Sequence, residues 1–317
     1  MKKILITCDT EVGELGRALP NAFDTLILGK IQNKEFGVHL INKLANQYKA
    51  SIEHFVDIYP IELCGEQKFS QLCNSILQDG HGLNLHTHPL GLAGYTGRYM
   101  HNYSLAEQEE ILTFGIKTLK KWTGLTVHSH RAGGYGVNQD TYKALDAVGI
   151  KNDFSYYFQN AQCHVTNSSV NAPFICQNVK VYPVSVAKVC SPLRKNISYF
   201  KLDMRYGLNT KKILAAIDSF RDPFIINIFM HSFNFLTLIY NFQKKIFTKI
   251  TVNNKQIKEF EAFLSGITAR SNCQFAKIAD LPSKFSTADY TPELSPNSII
   301  HQALRTVGQK FMHSWAV

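Results

Sequence analysis

Short runs rich in β-branched residues alternate along this chain with stretches whose apolar residues recur at helical spacing, and this alternation constrains the fold most. Lys3–Cys8 (KILITC) reads as a compact strand, Phe36–Tyr48 as a helix with Val38, Ile41, Leu44 and Ala45 on one face, and Ile52–Val56 as the next strand. Gln67–Leu77 is helical, and Leu83–Leu85 leads a strand into His86-Thr87-His88-Pro89. After a glycine-containing loop, Ser104 and Glu107 form a capping box ahead of the helix-spaced Ile111, Phe114, Leu119 and Trp122. Further on, strands are expected over Thr126–His130, Val179–Val189, Pro223–Met230 and near Phe275–Ile278, with helices over Thr210–Phe220 and Ile257–Thr268. Units of this kind place helices around a largely parallel sheet. About seven such alternations fit one distorted α/β barrel better than two domains.

The 317 residues, 45% hydrophobic and 18% charged, exclude a mainly disordered, collagen-like or coiled-coil chain. The barrel is expected over residues 1–286, with a linker and an amphipathic helical extension over 287–317. Seven scattered cysteines without a CxxC pair read as buried hydrophobes in a reducing compartment. The apolar start Ile4–Cys8 is too short for a secretory core, because Asp9 interrupts it. The longest apolar stretch, Phe224–Phe242, contains Asn227, His231, Ser232, Asn234 and Asn241, so it reads as a buried strand and the loop after it rather than a membrane span. A cytoplasmic protein is expected. The net charge, 34 − 24 = +10, suits anionic partners without choosing among them.

Chemistry concentrates where strands end. Asp9 and Glu11 stand two apart at the end of the first strand, so both carboxylates can enter one cavity. His86 and His88 repeat that spacing, roughly 6–7 Å apart at Cα, which lets their nitrogens converge on a metal. A carboxylate with two imidazoles and an open position is a hydrolytic zinc arrangement. Arg131-Ala132-Gly133-Gly134-Tyr135-Gly136 follows another strand; its glycines permit close approach of backbone to substrate, and Arg131 can orient a carboxylate. His231 closes the most apolar strand and is a candidate general acid. Taken singly, each has a plainer reading: capping acids, core histidines, a glycine turn. His128 and His130 fit packing roles, and His39, His54, His81, His101, His164, His301 and His313 read as structural or surface residues.

The ordered set of acid pair, histidine pair, Arg–Gly loop and late histidine resembles the polysaccharide deacetylase superfamily (NodB-homology, carbohydrate esterase type) from about Lys3 to Leu281. The resemblance implies a distorted (β/α)7 barrel holding one divalent metal, zinc being the expected ion. It implies Asp9 as base, Glu11, His86 and His88 as metal ligands, Arg131 as the residue orienting the base, and His231 as the acid that protonates the leaving amine. The family spacing of the histidines is usually wider, so His81 is the alternative ligand should His86 and His88 not both bind. Gly-Gly stands where Pro-Tyr is common, which leaves Gly134 or Tyr135 as the oxyanion backbone donor. The implied activity is N-deacetylation of an acetamido sugar in a surface polysaccharide or its lipid-linked precursor, and Tyr95 and Arg98 are candidate sugar contacts.

Other readings compete. Amidohydrolases and PHP phosphoesterases also use HxH on barrels, but normally on the first strand, where this chain has Asp-Thr-Glu. A glycan-binding barrel without turnover would keep the same groups. Nucleic acid is not an expected partner, because Lys211-Lys212, Lys244-Lys245 and Arg194-Lys195 are dispersed pairs. Phe242–Ile250 mixes apolar and basic residues and could touch the inner-membrane surface, suiting a lipid-linked substrate; an edge of the core would explain it equally well.

Overall fold

The computed structural model describes residues 1–190, 197–204, 210–241, 243–244, 246–282, 284 and 289–294. In chain order the principal elements are β1 (Lys2–Thr10), α1 (Val38–Gln47), β2 (Ile52–Asp57), α2 (Glu66–Gln78), β3 (Gly82–Thr87), α3 (Leu105–Thr123), β4 (Ser129–Ala132), α4 (Gln139–Ala147) and β5 (Asn152–Asp153). There follow β6 (Phe174–Cys176), β7 (Val179–Val181), β8 (Val186–Cys190), β9 (Ile197–Lys201), α5 (Thr210–Ser219), β10 (Ile225–His231), β11 (Leu236–Asn241), β12 (Ile246–Val252), α6 (Asn254–Thr268) and β13 (Cys273–Phe275).

Seven strands run parallel in the order β10-β1-β2-β3-β4-β5-β7, with β6 antiparallel on the outer edge. Short β13 pairs with Lys2–Ile4, on the part of β1 that β2 does not reach. The sheet curls into a distorted barrel. Between β7 and β10, irregular chain closes the gap: Leu202 N donates to Ser185 O (2.8 Å), and Phe229 N donates to Leu202 O (2.9 Å).

Alternation along the strands divides the core. Ile4, Ile6 and Cys8 of β1 join Ile226, Ile228 and Met230 of β10 under α1, α5 and α6. The alternate residues point inward, and at the lower end Leu5, Phe55, Phe154, Tyr182 and Ala276 plug the barrel, with the Phe154 and Tyr182 rings stacked at 5.0 Å. Burying aromatic rings on that scale supplies much of a core's apolar area. Above the plug the inward residues become polar, and there the site is built.

The capping box expected at α3 is present. Ser104 Oγ accepts from Glu107 N, and Ser104 N donates to Glu107 Oε2 (2.8 Å); Gly124, at φ +74°, ends the helix. Several expectations need correction. Val179–Val189 is not one strand but two, β7 and β8, because the intervening chain bends to pair with Tyr156 and Leu202. The Thr126–His130 strand is shifted to Ser129–Ala132, so Arg131 lies within the sheet rather than in a loop after it. The chain following His231 turns into the antiparallel hairpin β11–β12, whose mixed apolar and polar residues obscure the strand pattern. The boundary expected between 286 and 287 and the helix expected over 299–312 lie outside the described residues. Within 289–294, Asp289 accepts from the amides of Val170, Asn171 and Ala172, tying that segment to the barrel.

Candidate active site and metal centre

Thr7 and Asp9 of β1 point into the barrel, Glu11 follows them, and on neighbouring strands Asp57, His86, Arg131 and His231 arrive at the same rim. Register enforces this: Asp9 pairs with His231, Asp57 with His86, and His86 with Arg131. Parallel strands carry side chains to their C-terminal ends, the usual place for a site in such a barrel.

Glu11, His86 and His88 each offer one ligand atom, and the three atoms lie within 4.8 Å of one another. His88 Nε2 is 2.6 Å and His86 Nε2 3.4 Å from Glu11 Oε2, while His231 Nε2 lies 3.5 Å from Oε1. His86 Nδ1 lies 2.8 Å from the Arg131 carbonyl. A carbonyl only accepts, so Nδ1 carries the proton and Nε2 turns its lone pair to the cluster. This is the outer support that orients a metal-binding imidazole. His86 Nε2 and Glu11 Oε2 are buried and have no hydrogen-bond partner of adequate angle. Buried polar atoms are seldom left so. A divalent cation would satisfy both, so this donor set fits one.

The electrostatics agree. Burial opposes a charge on Glu11, yet His88 and His86 beside it hold its carboxyl well below the usual range. Burial likewise opposes a charge on His86, but Asp9 and then Glu11 push its pKa up to about 9. The carboxylates call for positive charge at this spot, which protons or a metal can supply.

Asp9 is gripped from the other side. Arg131, fully buried, donates from Nη1 to Asp9 Oδ1 (2.6 Å), from Nη2 to Thr7 Oγ1 (2.8 Å) and from Nε to the Phe154 carbonyl (3.2 Å). Its guanidinium lies over the rings of Phe55 (4.4 Å) and Phe229 (5.1 Å). Arginine's rigid fork suits this triple engagement where a lysine would not. Asp9 Oδ2 remains on the cluster side, 3.7 Å from His86 Nε2.

Gly133, Gly134 and Tyr135 form a single turn beside the cluster. A Cβ on Gly133 would overlap the His88 imidazole, so only glycine lets that ring sit where it does. Gly134 and Tyr135 both adopt left-handed backbone, at φ +56° and +63°. A tyrosine there is strained, a feature that gathers at functional sites. His231 packs between Phe229 (4.7 Å, edge-on) and Phe233 (4.8 Å, stacked), and its backbone N–H donates to Asn234 Oδ1 (3.1 Å).

Two expected sugar contacts are engaged with protein carboxylates. Tyr95 donates its hydroxyl to Glu110 (2.8 Å), and Arg98 pairs with Glu14. His81 precedes β3, at the strand end away from the cluster, where its Nδ1 accepts from Ile52 N (3.2 Å). It is therefore not the alternative ligand. His130 is fully buried between Thr87 Oγ1 (2.9 Å) and Asp153 Oδ2 (2.8 Å), and His128 is exposed outside the strand.

Asp57 escaped the sequence reading. It is fully buried beside the cluster, burial raising its pKa against the pull of His88 and Arg17. Its Oδ1 accepts from Tyr59 N (3.2 Å), and Arg17 Nη2 lies 3.9 Å from Oδ2. Extending the Ile52–Val56 strand by one residue, with Phe55 facing inward, would have found it. Lys201 escaped too: its Nζ donates to the Tyr135 hydroxyl (2.8 Å), lies 3.2 Å from Asp203 Oδ2 and sits 3.5 Å above the Phe229 ring.

No protein-family model matches this sequence, and no curated protein matches it. Solved structures do. One from Mycobacterium smegmatis, assigned as a polysaccharide deacetylase, aligns with TM-score 0.53 and 14% identity over 97% of this chain and 91% of its own. A probable polysaccharide deacetylase from Pseudomonas aeruginosa aligns with TM-score 0.53 and 14% identity over 88% of this chain and 89% of its own. The fold is that of the polysaccharide deacetylases. The PuuE allantoinase shares this barrel as well, at TM-score 0.54 and 13% identity over 88% of each chain. A deacetylase-type barrel therefore does not by itself name a substrate.

Proposed function

We propose that this chain is a metal-dependent carbohydrate deacetylase, a hydrolase that removes the N-acetyl group from an acetamido sugar of a surface polysaccharide or its lipid-linked precursor. The convergence of Asp9, held by Arg131, on the Glu11–His86–His88 cluster is the observation that carries this reading. Glu11, His86 and His88 would hold the ion, with zinc our choice from the two imidazoles and one carboxylate. Bound there, a divalent ion polarises an amide carbonyl and lowers the pKa of water.

The protein groups divide the remaining work. Arg131 fixes Asp9 with one oxygen committed, leaving Oδ2 to take the proton from the attacking water. The backbone N–H of Gly134 or Tyr135 donates to the oxygen that gains charge as water adds to the carbonyl. His231, across the cluster from His88, gives a proton to the sugar nitrogen as the C–N bond breaks. Acetate and a free amine result. Asp57 adds a further buried acid beside the histidines.

Among the described residues no helix is long and apolar enough to cross a membrane. On the β11–β12 hairpin, Ile239 and Ile246 are exposed together with Lys244 and Lys249, which supports contact with an anionic membrane surface from the cytoplasmic side. Phe242 and Lys245 of the same segment lie outside the described residues.

A second reading, hydrolysis of a small amide, is favoured by the allantoinase likeness. Acetate release from N-acetylated amino-sugar oligomers, blocked by chelation and restored by zinc, is the expected result. Turnover of allantoin without acetate release from any sugar would replace the deacetylase reading.

A further inference from the structure

Behind the site, on the outer face of the same strands, lies a second polar cluster that the reaction does not touch. Side chains alternate along a strand, so where His86 and Arg131 face the barrel interior, Thr87, His130 and Ala132 face the helices, and Asp153 stands beside His130 in the register. The layer they enter is otherwise apolar, with Leu85, Ala132 and Tyr142 of α4 in its core. Thr87, His130, Asp153 and Ser155 are all buried there.

Asp153 is the hub. Its Oδ1 accepts from the Tyr142 hydroxyl (3.0 Å) and Ser155 N (2.9 Å), and its Oδ2 from Ser155 Oγ (2.7 Å) and His130 Nδ1 (2.8 Å). His130 Nδ1 therefore carries a proton. Burial lowers the pKa of His130 and keeps the ring neutral, so its Nε2 accepts from Thr87 Oγ1 (2.9 Å). On the other arm, Ser155 Oγ accepts from Ala132 N (2.8 Å).

Both arms end next to residues of the site. Thr87 lies between His86 and His88, and β3 ends with it, so His88 stands beyond the strand ladder. Ala132 lies between Arg131, whose side chain holds Asp9 and whose carbonyl meets His86 Nδ1, and Gly133, whose backbone abuts the His88 ring. The ladder joins β3 to β4 through three register pairs and β4 to β5 through two, so few backbone bonds hold these strand ends. Polar groups buried in an apolar layer are costly unless satisfied, and a satisfied network fixes one arrangement.

We propose that Asp153, acting through His130 and Ser155, is a positioning residue that sets the metal ligands in place before an ion arrives. Ion affinity then depends on a cluster that touches neither ion nor substrate. The proposal rests on the metal centre of the deacetylase reading and not on its substrate.

The test is the zinc affinity of the full chain, by isothermal titration, at a temperature where circular dichroism shows each variant folded. Thr87→Val keeps the shape and removes the hydroxyl, and zinc binding should weaken about 10–100-fold, the usual cost of losing the support behind a ligand. Thr87→Ser keeps the hydroxyl and should restore most of that affinity. Ser155→Ala cuts the other arm and should weaken binding several-fold. Asp153→Asn should lose at least as much as Thr87→Val, and combining the two should add little, because both act on one chain of bonds. A role in stability alone would lower the melting temperatures and leave zinc affinity at the wild-type value, which overturns the proposal. Should Thr87→Val fail to fold, Ser155→Ala decides: wild-type affinity overturns the proposal and a several-fold loss supports it. Wild-type protein that binds no zinc overturns it together with the metal centre. Affinities in the expected order without acetate release from any sugar support it and remove the deacetylase reading alone.

Discussion

The backbone of Gly133 lies against the imidazole of His88 so closely that any side chain at position 133 would occupy the ring's own space. The turn after β4 and the histidine after β3 are thereby one mechanical unit. Gly133→Ala should displace His88 and weaken zinc binding by about 10–100-fold, a typical cost for disturbing the support of a ligand. Overpacking should cost about 1–3 kcal/mol of stability besides. Isothermal titration with zinc checks the first figure, and wild-type affinity in the variant would show that His88 is not held by this contact.

Asp9 and Arg131 form the second testable pair. Asp9→Asn keeps an acceptor for the guanidinium but cannot take a proton, so acetate release should fall about 10²–10⁴-fold. Zinc binding should survive, because Asp9 is not among the three clustered donors. Arg131→Lys loses the fork that spans Asp9, Thr7 and Phe154, and should cost roughly 1–3 kcal/mol in a urea titration. Full activity in Asp9→Asn would remove it as the base.

Metal linkage gives a readout independent of turnover. Zinc at 100 times its dissociation constant should raise the unfolding free energy by about 2.7 kcal/mol. In Glu11→Gln most of that gain should vanish, since the neutral amide leaves the two imidazoles without their carboxylate partner. Thermal melts with and without chelator measure both. An equal zinc shift in wild type and variant would place the ion elsewhere.

Acid sensitivity should trace in part to His54. Its ring is fully buried between Thr10 Oγ1 (2.9 Å) and Asn42 Oδ1 (2.8 Å), and burial holds its pKa well below the ordinary value. Below pH about 6.5 the unfolded chain takes up a proton there that the folded chain refuses, so stability present above that pH is lost as pH falls toward the lower folded value. The slope reaches about 1.4 kcal/mol per pH unit. Urea titrations at pH 7.5, 6.0 and 5.0 should show a shallower fall for His54→Gln than for wild type. Parallel slopes would mean that other groups carry the acid effect.

Much of this was legible in the sequence, for reasons that can be stated residue by residue. Period-two alternation along KILITC fixes which side of β1 carries Asp9, and the same rule pairs it with Glu11; for His86 and His88 it holds equally. The capping box at Ser104 is read from local spacing alone. Local spacing, however, does not say which strands become neighbours. Parallel pairing joins residues far apart in sequence, so only the folded sheet sets Asp9 opposite His231 and His86 opposite Arg131. The removal of His81 from the site depends on strand direction, since five residues along β3 carry the chain from one barrel end to the other. Asp57 was within reach of strand alternation, one residue past Val56, whereas Lys201 stayed hidden because nothing in its own neighbourhood marks it; only the fold brings its Nζ to the Tyr135 hydroxyl. Gly133 shows the division most clearly. The sequence announced a glycine turn, but the need for glycine comes from a ring forty-five positions earlier, brought there by β3 and β4 lying side by side.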